Sequence, residues 1–295
     1  MFTIVGFFAQ LIDGALGMAY GLTSTSLLLA FGIAPAVASA SIHLSEIATT
    51  AVSGISHYRF GNVDKKWMIK LMIPGSISAF LGAAFLSHLP GNLIKPYISF
   101  FLMLMGMYIL FRFLFHWNPS KESEGGETQQ QASSWYFIPL GAIAGFFDAV
   151  GGGGWGPINT PTLLARKGAI PRKVIGTVDA SEFAITVSAT LGFLLFLGWE
   201  QFHWVWVGAF VVGGVIAAPI AAYLVRVIPS YLLGVLVGGF IILTNVRTLL
   251  SALGINSEIF PFIYCILIIG WFFAIAWSVR NNVKLNKNTN VTINQ

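Results

Sequence analysis

A chain of 295 residues with 56% hydrophobic and only 9% charged side chains cannot clothe a water-soluble globule, whose surface needs roughly 25% charged residues. The composition places the chain in a lipid bilayer and excludes soluble enzyme folds. The net charge of +5 does not indicate a nucleic-acid partner, because the basic residues sit singly or in pairs between apolar runs, and a single cysteine, Cys265, excludes a disulfide framework and a thiolate metal site.

Nine apolar stretches follow one another near residues 2–31, 35–57, 67–88, 93–116, 135–165, 173–197, 203–225, 230–250 and 259–279. Most are long enough to span a bilayer. The first carries Asp13 and lacks the basic flank and small-residue cleavage site of a signal peptide, so it is expected to stay in the mature protein. Residues 1–116 form a first transmembrane repeat and 117–134 a polar linker, expected to be flexible. A second repeat follows at 135–250, and 251–295 adds a spanning helix with a basic tail.

The two repeats keep register. Asp13, Gly17, Tyr20, Gly21, Leu28, Leu29 and Ala30 recur 135 residues later as Asp148, Gly152, Trp155, Gly156, Leu163, Leu164 and Ala165. After a one-residue insertion Pro35, Ser45, Glu46 and Thr50 recur as Pro171, Ser181, Glu182 and Thr186. Loop charge then orients them. In the first repeat the Gly32–Pro35 loop is uncharged and the next carries Arg59, Lys65 and Lys66. In the second repeat Arg166, Lys167, Arg172 and Lys173 crowd the first loop instead. Since Lys and Arg concentrate in cytoplasmic loops, the repeats are expected to be inverted, with Arg226 and the tail residues Arg280, Lys284 and Lys287 cytoplasmic and Lys95 the one dissenter.

If the linker and the Arg166–Lys173 loop share one side, stretch 135–165 enters and leaves on that side, and it is too short for two full spans of about 20 residues each. A re-entrant, broken helical hairpin results. Gly151, Gly152, Gly153, Gly154, Gly156, Pro157 and Pro161 mark its break, and Gly14, Gly17 and Gly21 the matching place in the first repeat. The expected fold is thus an all-α polytopic membrane protein. Each of its two inverted-topology repeats holds one re-entrant broken hairpin and three spanning helices, and one additional C-terminal span follows.

Irregular backbone at membrane depth is tolerated only where protein or water satisfies it, so the two breaks are expected to meet around a central cavity. The returning half-helices would present free N–H groups and positive dipole ends there, an arrangement suited to an anion. Candidate substrate-binding residues are Gly14, Gly17, Gly21, Thr23, Ser24, Gly151, Gly152, Gly156, Asn159 and Thr160, with Thr25 as a further hydroxyl. The alternative for the glycines is close helix packing. Asp13 and Asp148, just before the breaks, are read either as caps of the half-helices or as transport groups.

Ser39, His43, Glu46, Thr50, Ser53 and His57 recur at steps of three and four, forming one polar helical face. Such a face is costly toward lipid and is expected to line a wet cavity, His43 and Glu46 opposite Asp179 and Glu182. These residues, with Asp13 and Asp148, are candidates for proton coupling or gating; the other reading is a hydrogen-bond network that ties helices together. No HExxH pattern accompanies the five histidines and no Lys-Ser or Lys-Thr follows the glycine run, so no metal, nucleotide or other cofactor is expected. Trp135, Tyr136, Trp199, Trp204, Trp206, Trp271 and Trp277 lie mostly near stretch ends and suit aromatic belts.

The run from Asp13 and Gly14 through Gly17, Tyr20 and Gly21 to Thr25, then Pro35, Ser39 to Glu46, and Gly61 to Asp64, resembles the TauE/SafE sulfite exporter family, and Asp148 to Gly156 with Thr177 to Glu182 resembles that family's second half. The resemblance implies a multi-pass permease of the inner (cytoplasmic) membrane for small sulfur-containing anions such as sulfite or organosulfonates. The expectation is a secondary transporter working by alternating access around a midplane site, with proton coupling as an added feature. The alternatives are a passive anion channel and an intramembrane enzyme. The expected partners are the sulfur oxyanion and the lipid bilayer, with no nucleic acid; a homodimer is left open.

Overall fold

The computed structural model describes residues 1–115, 134–166, 169–224 and 230–293. Most of the linker, Lys167, Arg226 and the side chains of Lys284 and Lys287, on which part of the loop-charge reading rests, lie outside the described set. In chain order the helices are α1 (Phe2–Leu16), α2 (Tyr20–Ala30), α3 (Pro35–Arg59), α4 (Lys65–Ser87), α5 (Gly91–Phe115), α6 (Ser134–Gly151), α7 (Trp155–Leu164), α8 (Pro171–Phe196), α9 (Trp204–Leu224), α10 (Ser230–Ala252) and α11 (Phe260–Ile293).

Among the described residues every regular element is helical. Six stretches are long and apolar enough to cross a membrane: α4, α5, α8, α9, most of α10, and Ser257–Asn281, which covers the first part of α11. The chain is therefore an all-α polytopic membrane protein. α3 is also long enough, its 25 residues rising about 37 Å, but its polar stripe keeps it out of the apolar set. The other four helices are short. α1 and α2, of 15 and 11 residues, rise only about 22 and 16 Å, less than the roughly 30 Å hydrocarbon core.

Both of the first stretches of the repeats are broken, and at equivalent glycines. α1 ends at Gly17 (φ 67°) and α6 is followed by Gly152 (φ 66°) and Gly153 (φ 151°), left-handed backbone that side-chain-bearing residues resist. The prolines expected to help break the second hairpin do not. Pro157 lies in the first turn of α7, where an N–H has no intrahelical partner anyway, and Pro161 lies inside the same helix. Gly14 and Gly151 also belong to helices rather than to the breaks. A Cβ on Gly14 would sit 2.6 Å from Ala221 Cβ, and one on Gly151 2.6 Å from Phe101 Cε1, so both serve close packing.

The halves interlock by exchange. α1 packs along α9, and its counterpart α6 packs along α4. α3 packs on α8 and α5 on α10, each helix facing its own equivalent. Small residues permit the close approaches: Gly54 lies against Ala180, and Gly106 against Ile241 and Gly238. α11 sits at the periphery on α10 and α5, largely exposed as a lipid-facing helix would be. Trp135, Trp199, Trp204 and Trp277 are exposed, whereas the Trp271 indole N–H donates to Val235 O at 3.0 Å and binds α11 to α10.

Candidate functional site

The two breaks meet backbone to backbone. A Cβ on Gly21 would lie 2.6 Å from Gly152 O, and one on Gly156 2.6 Å from Met18 Cα, so each half-helix starts against the other repeat's break. Two hydroxyls latch the contact. Thr25 donates to Gly152 O and Thr160 to Gly17 O, each at 2.7 Å. Donors and acceptors are both 135 residues apart, so one bond is the repeat of the other with the partners exchanged.

Helical rotation decides which candidate side chains join this contact. Gly21, Ser24 and Thr25 share one face of α2, and Gly156, Asn159 and Thr160 the same face of α7. The Ser24 hydroxyl and Asn159 Oδ1 are fully buried and have no hydrogen-bond partner among the described residues, while Asn159 Nδ2 donates to Trp155 O at 3.0 Å. Thr23, about 200° around the helix from Gly21, does not join them: it borders an apolar cavity of about 320 Å³ between α1, α10 and α11. The Thr160 hydroxyl is already engaged by Gly17, and so holds the break.

Asp13 and Asp148 act as caps. Asp148 Oδ1 accepts from the N–H groups of Gly154 at 2.7 Å and Trp155 at 2.9 Å, and Asp13 Oδ1 from that of Tyr20 at 3.2 Å. Tyr20 and Trp155 anchor the half-helices to the next helix, the Tyr20 hydroxyl lying 3.3 Å from Ser45 Oγ and the Trp155 indole N–H donating to Ser181 Oγ at 3.2 Å. Sequence spacing did not reveal this repeated pair, each member within its own repeat, as a contact, although its register was visible.

The polar stripe of α3 differs from expectation. Ser39, His43, Glu46, Thr50, Ser53 and His57 are all buried, and of these Thr50 also borders a largely apolar cavity between α3 and α8. Nor does His43 meet Asp179. Its Nε2 lies 3.0 Å from Asp148 Oδ2, because α3 of one repeat crosses the break of the other. His43 Nδ1 lies 2.8 Å from Ser39 O and 3.2 Å from Ser39 Oγ, so both ring nitrogens have a hydrogen-bond partner. Thr50 donates to Glu46 O at 2.5 Å, and Glu46 Oε1 faces Gly21.

In the other repeat Asp179 stands where His43 stands. Asp13, Asp179 and Glu182 each bring one carboxyl oxygen within 4.8 Å of the others, all three buried. Their mutual repulsion is relieved by a proton or a hard cation, and these are the oxygen donors a metal would use. His57 Nε2 is 3.7 Å from Asp179 Oδ2 and 3.1 Å from Gly14 O. Its Nδ1 lies 3.2 Å from Asn62 Nδ2, so each ring nitrogen has a neutral hydrogen-bond partner, with the Asp179 carboxyl as a further neighbour of Nε2. The two constellations are thus equivalent in position and different in charge.

The sulfite exporter TauE/SafE family model matches residues 2–248. The chain is 60% identical over 289 residues to the probable membrane transporter protein YtnM of Bacillus subtilis (strain 168), covering 96% of this chain and 95% of that one. No solved structure matches.

Proposed function

Because the chain belongs to the TauE/SafE sulfite exporter family, we propose that it is a secondary transporter carrying a small sulfur oxyanion, such as sulfite or a simple sulfonate, past the paired breaks by alternating access. The observation that carries this reading is the buried contact of two half-helix starts. It is latched by Thr25 and Thr160 and flanked by polar groups, Ser24 Oγ and Asn159 Oδ1, that have no hydrogen-bond partner among the described residues. An unmet buried polar group costs roughly 1–3 kcal/mol, a cost that a bound substrate relieves.

The Ser24 hydroxyl, with those N–H groups at the half-helix starts that Asp13 and Asp148 do not already hold, suits the oxygens of an oxyanion. Asn159 Oδ1 suits a hydroxyl on its protonated form. With these groups buried, the contact is closed to both sides, and transport requires the breaks to part toward one side at a time. The carboxyls beside the breaks give the movement a charge to balance. Protons exchanged at the His43–Asp148 contact and at the cluster of Asp13, Asp179 and Glu182 when the breaks part would couple transport to a proton gradient. The family resemblance implies the inner membrane, and the loop-charge pattern favours a cytoplasmic C-terminus.

Purified protein in liposomes loaded with unlabelled sulfite tests the reading. Labelled sulfite, thiosulfate or a short sulfonate entering transiently above its equilibrium level by counterflow is the expected result. Flux that only dissipates gradients and never shows counterflow would make the protein a channel, and consumption of the substrate would make it an enzyme.

A further inference from the structure

One sequence match lies outside the breaks and the stripe. Arg112, near the end of α5, and Arg247, near the end of α10, are 135 residues apart, the same offset that relates the half-helices. Charged residues in these two spanning helices are few, and an arginine near the end of each, at equivalent positions, asks for a reason beyond lipid contact.

The structure supplies the same surroundings for both. Arg247, with Thr248 and Ser251, borders a cavity of about 410 Å³ whose other wall is Leu29 and Ala30, the last residues of α2. Arg112, with Tyr108, borders a cavity of about 450 Å³ whose other wall is Leu164 and Ala165, at the end of α7. The half-helix residues are related by the same 135 positions as the arginines. Each arginine therefore stands at the outer end of the other repeat's half-helix. Arg112 Nη1 closes no hydrogen bond among the described residues, and Arg247 is exposed. Lys95 joins Arg247 in the first cavity, which explains a lysine that the loop-charge reading left as a dissenter.

Electrostatics gives this placement a function. The outer end of a half-helix is its C-terminus, where free carbonyls and the negative dipole end oppose an approaching anion. A guanidinium at that place offsets the repulsion and offers a fork of donors to an oxyanion. We propose that these cavities are the two entry sites for the transported oxyanion, Arg247 with Lys95 receiving it on one membrane face and Arg112 on the other. The proposal rests on the transport reading above and adds where the anion is captured before it reaches the breaks. A charged mouth of this kind raises capture by about tenfold or more without altering the step that follows.

The test uses full-length protein in vesicles of each orientation, with Arg247→Gln, Arg112→Gln and the corresponding lysine variants, each checked for unchanged thermal unfolding. Sulfite flux measured from one face should show KM raised about tenfold by Arg247→Gln and unchanged by Arg112→Gln, with the reverse from the opposite face, kcat constant, and partial recovery with lysine. Increasing salt should narrow the difference. The phosphate of an anionic lipid is the competing oxyanion. If the KM effects exist in phosphatidylglycerol and vanish in pure phosphatidylcholine, the cavities hold lipid and the proposal fails. It also fails if both variants change flux equally from both faces, or not at all, in vesicles where wild-type flux is intact. Absence of flux in the wild type would instead overturn the transport reading itself.

Discussion

His43 Nε2 lies 3.0 Å from Asp148 Oδ2, joining the polar stripe of one repeat to the capped break of the other. Both groups are buried, so removing one strands the other. His43→Gln is expected to destabilise the protein by about 3–5 kcal/mol, and the double variant His43→Gln/Asp148→Asn to recover much of that loss, since it removes both ionisable groups while Asn still caps Gly154 and Trp155. Thermal unfolding of the three variants in detergent checks it. An additive double variant would mean that the contact carries no coupling.

The opposing constellation predicts a different outcome. Asp179→Asn or Glu182→Gln removes one of three crowded carboxyls, so folding should be preserved or improved. Flux driven by an imposed proton gradient should fall well below wild type, while counterflow without a gradient persists. Transport assays with and without the gradient separate these, and an unchanged response to the gradient would reduce the cluster to scaffolding.

Close approach of the breaks makes Gly21 and Gly156 intolerant of any side chain. Gly21→Ala puts a methyl 2.6 Å from Gly152 O, a contact that forces the half-helices apart. Loss of at least 2 kcal/mol of stability and of flux is expected. Gly208→Ala, with nothing within 4 Å, is the control and should stay within about 0.5 kcal/mol of wild type. Unfolding temperatures of the pair, read side by side, decide the matter.

Much of this was legible in the sequence because duplication writes the same residue types twice. Asp13 with Asp148, and Gly17 with Gly152, mark the broken helices, and the steps of three and four from Ser39 to His57 place one buried face. Spacing along a helix does not say what that face meets. His43 was expected opposite Asp179 and meets Asp148, since the meeting depends on how the repeats interlock, a property of packing between distant segments. Thr23 was grouped with Ser24 by adjacency in the chain, yet one residue is about 100° of helical turn and directs it to a different cavity. Arg112 and Arg247 were visible at the common offset and became meaningful only once the ends of α2 and α7 stood beside them.

Sidedness has its own check. With Cys265 replaced by serine, single cysteines at Gly32 and at Arg166 should react with a membrane-impermeant thiol reagent from opposite faces of the membrane. Labelling of both from the same face would remove the inverted arrangement of the repeats and with it the assignment of one arginine cavity to each side.

Ser24→Ala is the most direct probe of an oxyanion held between the half-helices. The hydroxyl has no partner to lose among the described residues, so stability should stay within about 0.5 kcal/mol of wild type or rise slightly. Sulfite affinity, measured by titration of the purified protein, should fall about tenfold, the equivalent of one lost hydrogen bond to an anion. Unaltered affinity together with unaltered stability would contradict the site.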